Sequence, residues 1–249
     1  MPTTLKTRGI IIAEEPFGDY GLFIICYTKD AGLITARGTG IKKINAKLRS
    51  SVLPGNISYL TLIKQNGWHI TGAKVIEGTA LKLVDNIKFA LTSAVREAVK
   101  TIIPEEVYDK AVYELLEGYI LFMSRKEISA PTQKVATYRT VIRLLGSQGF
   151  AVLPDRCAHC GKKLTRNEII TYGKKKGFLC ALCVKHLNIS EKLYVVSHPL
   201  LSYLSNVKGK IALKRPLNWN DIDIFSSIVS GMYEIASERK LHSLAFKLD

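Results

Sequence analysis

The first 78 residues are patterned as short apolar runs broken by turn signals. Leu5–Glu14, Gly21–Thr28, Leu33–Thr39, Asn56–Lys64 and Trp68–Glu77 read as strands. Lys29-Asp30-Ala31-Gly32 marks one turn, and Gln65-Asn66-Gly67 carries the Asn-Gly hairpin signal. Apolar and polar positions alternate from Ser58 to Ile63. Five short strands in so few residues suit a small barrel or a sandwich fragment, and a five-stranded OB-like barrel is the economical choice because closure removes exposed sheet edges. After Gly78 the period changes to that of a helix. Leu81–Ile103 has no internal Gly or Pro, and Pro104 before Glu105-Glu106 suits a second helix start. Tyr108, Val112, Leu115, Leu116, Tyr119, Phe122 and Met123 recur at helical spacing. Thr132–Leu145 predicts a third helix that stops at Gly146 and Gly149. Ile222, Phe225, Val229, Met232 and Ala236 form a last stripe, and all these stripes are best read as core-facing.

Composition adds a partner to this picture. Of 249 residues 47% are hydrophobic and 23% charged, which is ordinary for a folded protein and excludes a disordered one. No apolar run is long enough to span a bilayer. Met1–Ile12 is followed by Glu14 and Glu15 without an adequate apolar region or cleavage site, so a cytoplasmic protein is expected, with no membrane partner. The net charge is +15, from 36 basic and 21 acidic side chains. Such a surface seeks an anionic partner, and the usual ones are nucleic acid or anionic lipid.

The chemistry-bearing motif is Cys157-Ala158-His159-Cys160 followed by Cys180-Ala181-Leu182-Cys183. Two Cys-x-x-Cys pairs nineteen residues apart suit one tetrahedral zinc, since each two-residue gap presents two sulfurs to one ion. Gly161 is free to take the positive φ that such a turn often needs. A redox dithiol would want a βαβ setting that neither pair has, while a degenerate site without metal would keep the same spacing. Four thiolates close the shell, so one structural Zn2+ is expected, stapling a loop rather than catalysing. His159 and His186 are not needed as ligands. Cys26, in an apolar run, reads as a small buried hydrophobe.

Two segments concentrate the basic charge. Over residues 154–185 eight cations face two acids, and Arg156, Lys162, Lys163, Arg166, Lys174, Lys175, Lys176 and Lys185 supply them. Arg37, Lys42, Lys43, Lys47 and Arg49 fall at the end of the third strand and in the connection after it, with no acid among them. Phe17, Tyr20, Tyr59 and Trp68 are candidate base-stacking residues, although a core role is commoner for any single aromatic. Arg37-Gly38-Thr39-Gly40 lacks the spacing of a phosphate loop. No nucleophile elbow, His-Glu-x-x-His or carboxylate pair is present, which lowers the odds of an enzyme.

The collinear order of these features resembles the bacterial RecO family of DNA repair proteins. Thr7-Arg8-Gly9-Ile10-Ile11, Asp19-Tyr20-Gly21, Lys29-Asp30-Ala31-Gly32-Leu33 and the basic segment Gly38–Arg49 carry the resemblance in the first third. Leu153-Pro154-Asp155-Arg156-Cys157, Gly177-Phe178-Leu179-Cys180 and Glu238-Arg239-Lys240-Leu241-His242-Ser243 carry it further on. Leu22-Phe23-Ile24 departs from the family's acidic-polar continuation, and a second arginine near Ser243 is missing. The resemblance implies an α+β chain: an N-terminal five-stranded OB-like β-barrel over 1–78, then a mainly α-helical domain over 79–249 with an inserted four-cysteine zinc finger at 154–185. It also implies a basic terminal helix at 238–243. It implies a non-catalytic, nucleoid-associated recombination mediator that binds single- and double-stranded DNA and anneals complementary strands. Its partners would be RecR, the C-terminal tail of single-stranded-DNA-binding protein and, indirectly, RecA. The two basic segments offer the candidate DNA contacts: Arg37, Lys42, Lys43, Lys47, Arg49, Lys162, Lys163, Arg166, Lys174, Lys175 and Lys176. Arg139, Arg143, Arg239 and Lys240 are candidate cations for that tail. The rival readings are an RNA-binding zinc-ribbon/OB protein of translation or ribosome assembly, and an enzyme with an unrecognised site.

Overall fold

One strand organises the first part of the chain. β1 (Thr3–Phe17) pairs with β4 (Ile57–Lys64) along residues 3–10 and with β2 (Gly21–Thr28) along residues 9–17. The change of partner coincides with a bulge between Ile11 and Ala13, where a strand bends and twists. There Ile11 N–H donates to Asn56 O at 2.9 Å and Gly55 N–H donates to Ile11 O at 2.8 Å. β2 turns into β3 (Gly32–Gly38), and β4 into β5 (Trp68–Glu77). The second turn has φ of 50° at Asn66 and 105° at Gly67, as the Asn-Gly signal predicts. β3 and β5 close the ring in parallel through Ala36–Trp68 and Arg37–His69 alone. The order β1-β2-β3-β5-β4 is the expected OB-like barrel. Its interior is filled by Ile11, Ile24, Cys26, Ile34, Leu60 and Leu62. A 3-10 turn at Arg49–Val52 adds Val52 to that core. The computed structural model describes residues 3–43, 46–77, 86–150, 154–165, 168–205, 217–241 and 243.

The short β3–β5 seam is reinforced from outside. Residues 103–109 lie along it: Glu105 bridges Leu33 in parallel, and Glu106 N–H donates to Leu33 O at 2.7 Å. A Cβ at Gly32 would stand 2.2 Å from Val107 O, so only glycine admits this strap. Tyr27, fully buried, reaches out to it, its Oη accepting from Asp109 N–H at 3.0 Å and donating to Asp109 O at 3.2 Å. The Asp109 side chain then caps α2 (Lys110–Met123) by accepting from Ala111 and Val112 N–H. The helix start expected at Pro104-Glu105-Glu106 is therefore corrected. Those acids serve the barrel edge, and Glu106, at φ 57°, is left-handed rather than helical.

Two compact units divide at residues 128 and 129. The first holds the barrel, α1 (Asn86–Ile102) and α2. The second is built on α3 (Ala130–Ser147) and α6 (Trp219–Ser237), which pack with the Tyr138 and Phe225 rings 5.4 Å apart. It also holds a three-stranded sheet, β7 (Gly177–Cys180), β6 (Ile170–Gly173) and β8 (Leu193–Val196), with α4 (Ala181–His186) and α5 (His198–Ser205). The sheet lies close to α6, since a Cβ at Gly231 would meet Tyr172 Oη at 2.6 Å. The terminal basic helix expected at 238–243 is also corrected. Glu238, at φ 56°, ends α6, and Arg239 and Lys240 lie beyond it, with His242 outside the described residues. Among the described residues no helix is long and apolar enough to cross a membrane.

Glu106 links the strap to the β4–β5 hairpin. Its carboxylate accepts from Lys64 Nζ at 2.7 Å and from Trp68 Nε1 at 2.8 Å. These bonds, Lys64's first, hold the Glu106 carboxyl below its ordinary value. A lowered carboxylate favours the clasp above its free pKa of about 4.3 and loses it as pH falls through the bound value. In a Trp219→Phe background Trp68 emission should stay constant from pH 7 to about 5 and change below about 4. Glu106→Gln should remove that acid transition while leaving the far-ultraviolet spectrum unchanged.

Candidate nucleic-acid interface and metal centre

At one end of the barrel the β1–β2 turn meets the chain leaving β3. Ile41 anchors that departing segment in the core, with Gly38 beside it: a Cβ there would lie 2.1 Å from Ile41 Cδ1. The next residues are thereby held at the surface. Lys42 N–H donates to Tyr20 O at 3.0 Å, and Lys42 Nζ donates to Gly18 O at 3.3 Å. Lys43 Nζ lies 5.8 Å from the centre of the Tyr20 ring, which is 59% exposed. Arg37 stacks its guanidinium 3.9 Å over Phe17, and Phe17 meets Phe23 edge to face at 4.7 Å. Arg37, Lys42, Lys43 and Lys47 are exposed and have no carboxylate partner among the described residues. Aromatic faces between cations can hold unpaired bases by stacking and phosphates by charge.

Arg49 behaves differently from its neighbours. Both of its terminal nitrogens donate to the Glu14 carboxylate, so it clamps the 3-10 turn to β1 while its side chain stays partly exposed. Among the stacking candidates, Tyr20 and Tyr59 are exposed, whereas Phe17 and Trp68 are half-buried and occupied by Arg37 and Glu106. Phe23 completes the patch and was not singled out in the sequence. Its signal was the alternation in Leu22-Phe23-Ile24, which sends Leu22 and Ile24 inward.

The four cysteines of the motif converge in the second unit. The first pair lies on a turn in which Gly161 takes φ 71° and Gly161 N–H donates to Cys157 O at 2.9 Å. The second pair spans the junction of β7 and α4. Ala158 N–H donates to Phe178 O at 2.7 Å, and Cys180 N–H reaches Cys157 Sγ at 3.4 Å, joining the two halves. The four Sγ atoms all lie within 4.8 Å of one another, with Cys160 and Cys180 at 3.9 Å. Tetrahedral zinc with 2.3 Å bonds separates its sulfurs by about 3.8 Å, so the donor set fits that ion. Burial alone would raise the Cys157 thiol, but backbone N–H groups of Cys160, Cys180 and His159 bring it down to about 6. Burial and then the neighbouring sulfurs push Cys183 up to about 12. Four thiolates this close repel one another, and a divalent cation removes the conflict.

The basic residues around this cluster divide. Lys162 pairs with Glu168 at 3.0 Å and Lys174 with Glu234 at 3.8 Å. Lys163, Lys175 and Lys176 are exposed, and Arg166 lies outside the described residues. Of the cations expected for a protein tail, Arg139 is only 4% exposed, which corrects it from a surface contact to a core residue of α3. Arg143, one turn on, is half-buried, and Arg239 and Lys240 are exposed. A groove of about 520 Å³ between the β6–β7 turn and α6, lined in part by Lys192 and Tyr194, had no sequence signal.

Residues 84–245 match the family model described as recombination protein O C terminal. The DNA repair protein RecO of Acetivibrio thermocellus is 25% identical over 207 residues, covering 82% of this chain and 80% of that protein. That of Thermoanaerobacter sp. is 22% identical over 225 residues, covering 86% and 88%.

Cys26 stands apart from the cluster, its thiol pushed up to about 12 by burial in the barrel core. Alkylation of the folded protein at pH 8, with and without chelator, should leave Cys26 unmodified by peptide mass spectrometry, and denaturant should expose it.

Proposed function

The chain belongs to the RecO family of DNA repair and recombination proteins, and from that premise we propose that it is a non-catalytic mediator that binds single- and double-stranded DNA and anneals complementary strands. The observation that carries this reading is the barrel-end patch, where Tyr20, Phe17 and Arg37 stand beside Lys42 and Lys43, which have no carboxylate partner among the described residues. Cations there neutralise phosphates and release counterions, which lowers the repulsion between two strands. Exposed rings hold bases without reading their identity. The four cysteines hold one structural zinc whose role is to fasten the turn at 157–161 to the β7–α4 junction. With RecR, the chain helps load RecA on DNA coated by single-stranded-DNA-binding protein, whose tail it contacts, in the cytoplasm. That assignment is what family membership supports.

Annealing of complementary oligonucleotides across a salt series tests the electrostatic mechanism. Affinity should fall linearly with salt on logarithmic axes, and Lys42→Ala, Lys43→Ala and Lys47→Ala should each reduce the slope by about 1. No binding at low salt, or a tenfold preference for matched RNA, would overturn it. Metal analysis should return one zinc per chain. Chelation should unfold residues 154–186 in hydrogen exchange while barrel amides keep their protection, because the metal's binding energy supports only its own segment.

A further inference from the structure

The second exposed tyrosine of the barrel lies on a different surface. Tyr59, 55% exposed, is in the middle of β4, where its neighbours Leu60 and Ser58 are buried. Alternation therefore turns Tyr59 outward. Its partner on β1 is Arg8, and its partner on β5 is Lys74. Directly opposed residues share a face, with strands about 4.8 Å apart, so a cation flanks the ring on each side. Lys6, two residues before Arg8 on β1, adds a third to the same face.

The surroundings of the ring are open. The next positions along the face are Thr61 and Gly72, a short side chain and none at all. Arg8 is held by Glu117, Nη2 to Oε1 at 2.8 Å, and Tyr113 Oη donates to the same carboxylate at 3.2 Å. Lys6 and Lys74 are exposed and have no carboxylate partner among the described residues. An aromatic anchor for a protein partner would be expected among apolar neighbours, as at buried interface centres. Here the directly opposed neighbours are cations, with Thr61 and Gly72 beyond them and a single exposed apolar side chain, Ile76, further along β5, a setting that complements a phosphate backbone carrying unpaired bases.

We propose that the outer face of β1, β4 and β5 around Tyr59 is a second binding platform for single-stranded nucleic acid, separate from the barrel-end patch. A base stacks on the Tyr59 ring, while Lys6 and Lys74 meet the flanking phosphates and Arg8 is kept in place by Glu117. Arg8 precedes Phe17 by nine residues on β1, with the bulge at Ile11–Ala13 between them, so the two platforms lie on different stretches of that strand. The barrel then engages either a long track of one strand or two strands at once. This inference rests on the nucleic-acid reading above.

The test is photocrosslinking of full-length protein to a thymidine oligonucleotide carrying 5-iododeoxyuridine, with peptide mapping and fluorescence-anisotropy binding. A crosslink should fall in the tryptic peptide Ser50–Lys64, which contains Tyr59. Tyr59→Ala should weaken binding about tenfold and Tyr59→Phe much less, since stacking needs the ring and not the hydroxyl. Lys6→Ala and Lys74→Ala should each lower the salt slope by about 1. A Lys42→Ala/Lys43→Ala protein should keep the Tyr59 crosslink. If wild-type protein binds the oligonucleotide but gives no crosslink in that peptide, or if Tyr59→Ala binds as wild type does, the second platform is overturned and the first stands. Failure of wild-type protein to bind at all overturns both.

Discussion

The barrel depends on β1 serving two neighbours. A strand of fifteen residues cannot stay straight while pairing with β4 at one end and β2 at the other. The bulge at Ile11–Ala13 lets it bend, and the carbonyl and amide of Ile11 are satisfied there by Gly55 and Asn56. Closure then falls to the two residue pairs between β3 and β5. So short a seam leaves backbone groups of β3 open, and the strap at 103–109 answers them at Leu33. The left-handed Glu106 and the obligatory glycine at 32 follow from fitting a strap against that edge.

How far the sequence could be read depended on the range of the forces involved. Strand alternation and the Asn66-Gly67 turn are local, and the five barrel strands came out within three residues of their ends. The cysteine spacing is also local, because each pair must share one turn, and the four sulfurs do converge. Glu105 and Glu106 look like the first turn of a helix in sequence. Their partners Leu33, Lys64 and Trp68 are 38 or more residues away, a distance at which no window of sequence reports. β6, β7 and β8 have four residues each, too few to show a period, and take shape only by pairing and packing near α6. Arg139 presents the opposite difficulty: a cation on a helix reads as exposed, yet it lies in the buried stretch from Val135 to Ile142.

The cysteine cluster and the barrel solve different problems with different means. The barrel closes by backbone pairing around an apolar core and needs no ion. The cysteine segment buries Ile170, Tyr172, Phe178 and Leu179 on β6 and β7, but its turn at 157–161 touches β7 chiefly through backbone and sulfur contacts. Such a turn lacks the buried area to fix itself, which is where a structural ion contributes most.

The division of labour among the cations bears on how a strand would be held. In the first unit the arginines have fixed partners: Arg8 has Glu117, Arg49 has Glu14, Arg37 the face of Phe17, Arg96 Ser93 and the Phe89 ring, and Arg125 the Phe122 ring. The cations left without carboxylates around Tyr20 and Tyr59 are mainly lysines, with Arg37 lying over Phe17. A planar guanidinium is suited to a fixed, bidentate partner, whereas an ammonium on a four-carbon stem follows a phosphate through many positions. A surface built so discriminates poorly between sequences and tolerates sliding. Those are the properties that pairing two strands in unknown register requires, since a contact that fixed one register would trap the mismatched ones.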